Sequence, residues 1–152
     1  MRTHEYYMQA ALDEATKAGK NGEVPVGAVI VDETGDIIAK AGNMRESSKD
    51  PSAHAEILAM RLAGQKRGSW NLSGCSLYVT LEPCCMCAGA IVNARISKLI
   101  FGATDIRFGG VVTHFNIANN PHLNHRAEVV GGILSTECKD IISLFFKDKR
   151  GK

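Results

Sequence analysis

Very little separates the two signs of charge in this 152-residue chain: 18 lysines and arginines stand against 16 aspartates and glutamates, a formal net charge of +2. So even a balance gives composition no power to nominate nucleic acid as a partner, which has to be argued from a local patch instead. Long apolar runs are missing too. No stretch approaches the ~20 residues that cross a bilayer, and the polar segment Met1–Tyr7 has none of the apolar core of a signal peptide. There is no internal repeat, no low-complexity tract and no shift in composition that would mark a boundary, which excludes solenoids and arrays. A chain with 45% hydrophobic and 22% charged residues is expected to fold as one globular domain over 1–152, in the cytoplasm. Thiols are kept reduced there, so the five cysteines point to metal binding or burial before disulfides.

The periodicity of what is present predicts a layered α/β fold. Met8, Ala11, Leu12 and Ala15 recur at helical spacing between His4 and Gly19. Val26–Val31 and Asp36–Ala41 read as two strands of a hairpin around the turn Glu33-Thr34-Gly35-Asp36. Asp50-Pro51-Ser52 leads into a second helix that begins close to His54, with Ile57, Leu58 and Leu62 on one face. Ser76–Leu81 is a buried strand, Pro83 marks the first position of a helix running to about Arg95, and Lys98–Phe101 is another strand. That strand-helix-strand unit implies parallel pairing. Glu128–Val130 is a short strand and Thr136–Lys147 a last amphipathic helix. The expected architecture is a three-layer α/β/α sandwich around a mixed sheet of about five strands.

Two clusters carry chemistry: His54-Ala55-Glu56 at one helix start and Pro83-Cys84-Cys85-Met86-Cys87 at another. Cys84 and Cys87 are three residues apart and share a helix face, and a helix N-terminus favours the thiolate that a metal needs. With His54 as third ligand the set is two thiolates and an imidazole, which suits zinc and leaves one position open to water, the arrangement of a catalytic site. Glu56 is then placed to move protons. Two rivals stand beside this reading. A redox dithiol would explain the two cysteines but not His54 and Glu56. A structural zinc site would need a fourth ligand, Cys85 or Cys75, and would leave Glu56 without a task. Cys85 should point off the shared face, while Cys75 and Cys138 sit among apolar neighbours as small buried residues do. Trp70 reads as a core residue, and the lone His4, His114 and His122 attract no assignment.

The pattern H-x-E followed by P-C-x-x-C is the signature of zinc nucleobase deaminases. Further stretches accompany it: Glu23-Val24-Pro25-Val26-Gly27-Ala28-Val29, Asp50–Glu56, Leu77–Cys84, Phe101-Gly102-Ala103-Thr104-Asp105 and Asn124-His125-Arg126. With them the sequence resembles the bacterial tRNA-specific adenosine deaminase family over nearly its whole length. The resemblance implies a cytidine deaminase-like fold and one zinc ion per chain on His54, Cys84 and Cys87. It also implies Glu56 as the proton shuttle in hydrolytic conversion of adenosine to inosine at the wobble position of a tRNA anticodon. Asn43 would hydrogen-bond the target base, the Ala55 N–H and the Glu82 region would frame it, and Asp105, with Arg107 and Phe108, would border the RNA. A homodimer is implied, with the partner chain completing the RNA groove. The alternatives are a deaminase of free guanine or cytosine, and a zinc-stabilised RNA-binding module without activity. Lys147, Lys149, Arg150 and Lys152 read as a solvated helix terminus. Cys85, where the family carries Val, Pro or Ile, and Asn119-Asn120, in place of a His-rich stretch, depart from the family pattern.

Overall fold

Nine elements follow the chain in the order α1 (His4–Lys20), β1 (Gly27–Val31), β2 (Ile37–Gly42), α2 (Ala55–Arg67), β3 (Ser76–Leu81), α3 (Cys85–Asn93), β4 (Lys98–Ala103), β5 (Glu128–Val130) and α4 (Ser135–Arg150). The computed structural model describes residues 1–150, so Lys152 of the basic terminus lies outside the described residues.

Local chemistry accounts for the first helix. The Thr3 side chain accepts from the Tyr6 N–H at 3.1 Å and caps α1, Glu5 lies in its first turn, and Lys17 and Lys20 lie in its last. Tyr7, Met8, Ala11, Leu12, Ala15 and Ala18, three or four apart, form its buried stripe. A methyl group added at Gly27 would fall 1.9 Å from the Ala11 carbonyl oxygen and 2.5 Å from the Ala15 nitrogen, so glycine is what lets the α1 backbone lie directly on β1.

The sheet order is β2-β1-β3-β4-β5. β1 pairs antiparallel with both β2 and β3, whereas β3–β4 and β4–β5 are parallel, so the sheet is mixed as expected. Strand alternation feeds two cores. Val29, Val31, Tyr78 and Ile100 pack with Tyr7, Met8, Leu12 and Cys138 under α1 and α4. Ala28, Ile30, Leu77, Val79, Leu99 and Phe101 pack with Ala55, Ala59, Met60, Ala63, Ala88 and Ile91 under α2 and α3.

Three expectations need correction. The buried face of α2 is made mainly of small residues, Ala55, Ala59 and Ala63 with Met60, while Leu62 is 45% exposed. Small side chains let the helix sit close to the sheet, and the larger Leu62 projects away. Trp70 is not core: it is 67% exposed, just past the left-handed Gly68 that ends α2, and the Arg95 guanidinium lies 5.9 Å from its ring centroid. Pro83 precedes the helix instead of opening it, because Cys84 takes the N-cap position and α3 ends at Asn93. Cys75 and Cys138 are fully buried and Cys85 is exposed, as expected.

Candidate active site

The N-termini of α2 and α3 meet on one side of the sheet. His54 is the N-cap residue of α2 and Cys84 that of α3, both in extended backbone, and neither side chain caps its own helix. Both are therefore free to face the space between the helices. Cys87 is the third residue of α3, so Cys84 and Cys87 stand at N-cap and N3, three residues apart on one side of the helix start. His54 Nδ1 lies 3.7 Å from Cys84 Sγ and 3.5 Å from Cys87 Sγ. The three ligand atoms all fall within 4.8 Å of one another, and among the described residues no other such cluster of His, Cys, Asp or Glu occurs.

The donor set fits zinc. Two sulfurs and one imidazole nitrogen converge, and two positive helix ends point at them. Hydrogen bonding from Cys87, aided by His54, pulls the Cys84 thiol down to about 4 against the effect of burial. The bond to Cys84 together with burial pushes Cys87 the other way. The bond to Cys84 also raises the His54 imidazole above its ordinary value. A fourth protein ligand is missing from the cluster, since Cys85 faces solvent and Cys75 is buried beside Arg67, whose Nη1 donates to its sulfur at 2.9 Å. That is what a site with an open coordination position requires, and it removes the basis of the structural-zinc reading.

Glu56, in the first turn of α2, is only 4% exposed and close enough to His54, Cys84 and Cys87 to feel their charges. Burial pushes its carboxyl up to about 7, where a group can both give and take a proton near neutrality. Ala55, fully buried beside it, occupies the first helical position, whose N–H has no intrahelical partner.

Two loops flank this centre, residues 43–53 and 104–114. Asn43 opens the first. Its backbone N–H donates to Val26 O at 3.0 Å, its Nδ2 to Val24 O at 3.4 Å, and its Oδ1 accepts from the Arg45 N–H at 3.2 Å. Glu23, 1% exposed, accepts from the N–H groups of Glu46 at 2.9 Å and Ser47 at 2.7 Å. Asp105 opens the second loop, and its Oδ1 accepts from the N–H groups of Arg107 at 3.0 Å and Phe108 at 3.3 Å. Glu82 is 1% exposed, and both its oxygens are turned to that same loop. His125 of the Asn124-His125-Arg126 stretch donates from Nε2 to Ile96 O at 2.7 Å, and His114 donates from Nε2 to Ile106 O at 2.6 Å. Sequence reasoning passed over Glu23 and His114 as bonding groups. A glutamate heading the apolar run Val24-Pro25-Val26 was the available signal for the first, and nothing distinguished the second.

A five-stranded mixed sheet between helices, with a His-Cys-Cys cluster at two facing helix starts, defines the class of zinc-binding nucleotide deaminase domains. The model of the family described as the cytidine and deoxycytidylate deaminase zinc-binding region matches residues 1–103. A protein of Bacillus subtilis (strain 168) named tRNA-specific adenosine deaminase is 48% identical over 152 residues, covering 100% of this chain and 94% of its own. A protein of the same name from Aquifex aeolicus (strain VF5) is 51% identical over 146 residues, covering 96% of this chain and 95% of its own. A solved structure from a study of A-to-I editing by tRNA:A34 deaminases at the wobble position of transfer RNA superposes with a TM-score of 0.86 at 43% identity, covering 90% of this chain and 98% of the other. The chain belongs to the tRNA-specific adenosine deaminase family.

Proposed function

We propose that this protein is a tRNA adenosine deaminase that converts adenosine to inosine at the wobble position of an anticodon, working as one zinc-dependent domain over its 152 residues. The observation that carries the reading is the convergence of His54, Cys84 and Cys87 beside a buried glutamate, in a chain whose full-length relatives are named for this reaction. The reaction consumes water and releases ammonia: a C–O bond forms at C6 of the purine and the C6–N bond breaks. His54, Cys84 and Cys87 hold one zinc ion per chain, which when bound lowers the pKa of a coordinated water toward ~7. Glu56 carries two protons in turn, one from the attacking water to the purine ring nitrogen and one from the new C6 hydroxyl to the departing amine, which leaves as ammonia. Its burial and its position beside the three ligands support that assignment.

For the base, the first-turn N–H of Ala55 is the available donor, and Asn43 offers an amide at the mouth of the neighbouring loop. Asp105 serves the substrate through the loop it shapes, from which Arg107 and Phe108 project, the latter 65% exposed. An anticodon loop suits such a pocket, because a single-stranded base leaves its stack at little cost. Two copies of the chain pair, the partner completing the RNA groove. Family membership and the apolar groove between α2 and α3, lined by Ile57, Met60, Leu72 and Ala90, support this. A tRNA substrate and reduced cysteine ligands favour the cytoplasm, and among the described residues no helix is long and apolar enough to cross a membrane.

The test is to incubate zinc-loaded protein with an anticodon stem-loop carrying wobble adenosine and, separately, with free adenosine, adenine, guanine and cytosine. Inosine in the RNA alone is expected; ammonia only from a free base would move the protein to nucleobase salvage. Glu56→Ala should abolish turnover with zinc retained; turnover that survives would take the proton role away from Glu56, and silence of the unaltered protein on every substrate would leave the binding-module reading. Cys84→Ala or Cys87→Ala should release the metal, read as zinc per chain by atomic emission.

A further inference from the structure

Glu82 lies two residues before a metal-site cysteine, at the end of β3, where its side chain could have been turned toward the substrate. Its oxygens are already occupied. Oε1 accepts from the Asp105 N–H at 3.0 Å and from the Thr113 hydroxyl. Oε2 accepts from three successive N–H groups, Val111 at 3.1 Å, Val112 at 2.8 Å and Thr113 at 2.9 Å. One carboxylate therefore gathers both ends of the 104–113 loop.

The loop is also seated against the metal-site helix. Gly109 forms a bridge with Cys84, and the Gly110 N–H donates to Pro83 O at 2.8 Å. Neither glycine tolerates a side chain in place: a methyl at Gly109 would fall 2.5 Å from the Glu82 carboxylate, and one at Gly110 2.7 Å from the Cys85 nitrogen. With its backbone pulled inward, the loop turns Ile106, Phe108 and Val112 outward, at 84%, 65% and 57% exposure.

We infer that Glu82 is a positioning residue, which fixes the 104–113 loop as one wall of the RNA-binding cleft and contacts neither base nor metal. This rests on the reading that RNA enters beside that loop. The carboxylate joins the 111–113 stretch, whose three N–H groups donate to it, to the turn built on Asp105, and so makes one rigid edge at a set distance from the metal site, so that the RNA meets a preformed surface.

The test uses the zinc-loaded full chain, Glu82→Gln and Thr113→Val. Three quantities are read: zinc per chain, amide hydrogen exchange across 105–113, and kcat and KM on the wobble-adenosine stem-loop. Glutamine keeps the shape but places an NH2 group opposite N–H donors. We expect zinc content to hold, loop exchange to accelerate by about ten-fold or more, and kcat/KM to fall on the order of ten- to a hundred-fold, mostly through KM. Thr113→Val, on the exposed rim, should move exchange and KM in the same direction by less, and it decides the matter if Glu82→Gln does not fold. Unchanged exchange and KM, or loss of zinc with the loop still protected, would overturn the inference. Silence of the unaltered protein on every RNA overturns the functional reading instead, and the exchange measurement still decides the clamp.

Discussion

The two loops beside the metal site solve the same problem in different ways. Both connect a strand end to the next part of the fold, both are polar, and each is tied down by one glutamate that is 1% exposed. The 43–53 loop does much of the work itself: Ser48 N–H donates to Met44 O at 2.9 Å, Asp50 N–H to Arg45 O at 3.2 Å, and Met44 N–H to Ala53 O at 3.0 Å. Glu23 adds two backbone bonds. The 104–114 loop leans outward on Glu82, through four backbone N–H groups and a hydroxyl. They also differ in what lies downstream. The first loop runs straight into His54, whereas the second touches the site only through the backbone of Pro83, Cys84 and Cys85. Loosening the first should therefore reach the metal, and loosening the second should reach the RNA.

Glu23→Gln tests the first half and should have the largest effect. It weakens two bonds to a buried carboxylate, at a cost of ~2–3 kcal/mol of folding stability. Zinc affinity in a chelator competition should fall about ten-fold, because the loop that aims His54 is no longer held. The pH dependence has a definite sign. Burial raises the Glu23 carboxyl, but the Glu46 and Ser47 N–H groups prevail and set it below its ordinary value of 4.5. A lowered folded value means the stabilisation is complete above the unfolded value and disappears as pH falls through the folded one. Urea melts of metal-free protein should show a wide gap between wild type and Glu23→Gln at pH 7 that narrows once pH falls below the ordinary value of 4.5 and closes below the folded one. A gap that stays constant with pH would mean that the charge of Glu23 does nothing.

Gly110→Ala addresses the second loop without touching its carboxylate. The added methyl meets backbone, 2.7 Å from the Cys85 nitrogen and 2.9 Å from the Cys84 carbonyl carbon, so the loop must back away. The expected cost is ~1–2 kcal/mol of stability, the usual scale for overpacking. KM for the stem-loop should rise and zinc per chain should stay constant. Loss of zinc here would erase the distinction between the two loops.

This contrast also marks how far the sequence could be read. The metal site was legible because zinc chemistry demands particular residue types at particular spacings, and His54, Glu56, Cys84 and Cys87 meet that demand within two short stretches. The sheet was legible because β-branched runs and helical periodicity are local signals. The clamps were not: Glu23 lies 23 and 24 residues from its partners, and Glu82 between 23 and 31 from its own, so neither shows in any local window. Resemblance implied that the Glu82 region frames the base; that the Glu82 oxygens themselves accept from the 104–113 loop has no counterpart in any local pattern. Trp70 was misread for the converse reason: its apolar character suggested core, but the turn after Gly68 leaves it in solvent.

The smallest expected effect sharpens the comparison most finely. Cys85 sits between the two sulfur ligands and against Gly110, so its backbone is part of the seat of the second loop, yet its side chain is exposed. If that loop leans on backbone alone, Cys85→Ser is silent: zinc per chain unchanged, exchange across 105–113 unchanged, and stability within ~0.5 kcal/mol, as for an ordinary surface substitution. A drop in zinc would instead bring the Cys85 thiol into the metal site and revive a four-ligand structural centre. Paired with Gly110→Ala at the same junction, the variant separates what the backbone of residues 84–85 does for the loop from what the Cys85 thiol could do for the metal.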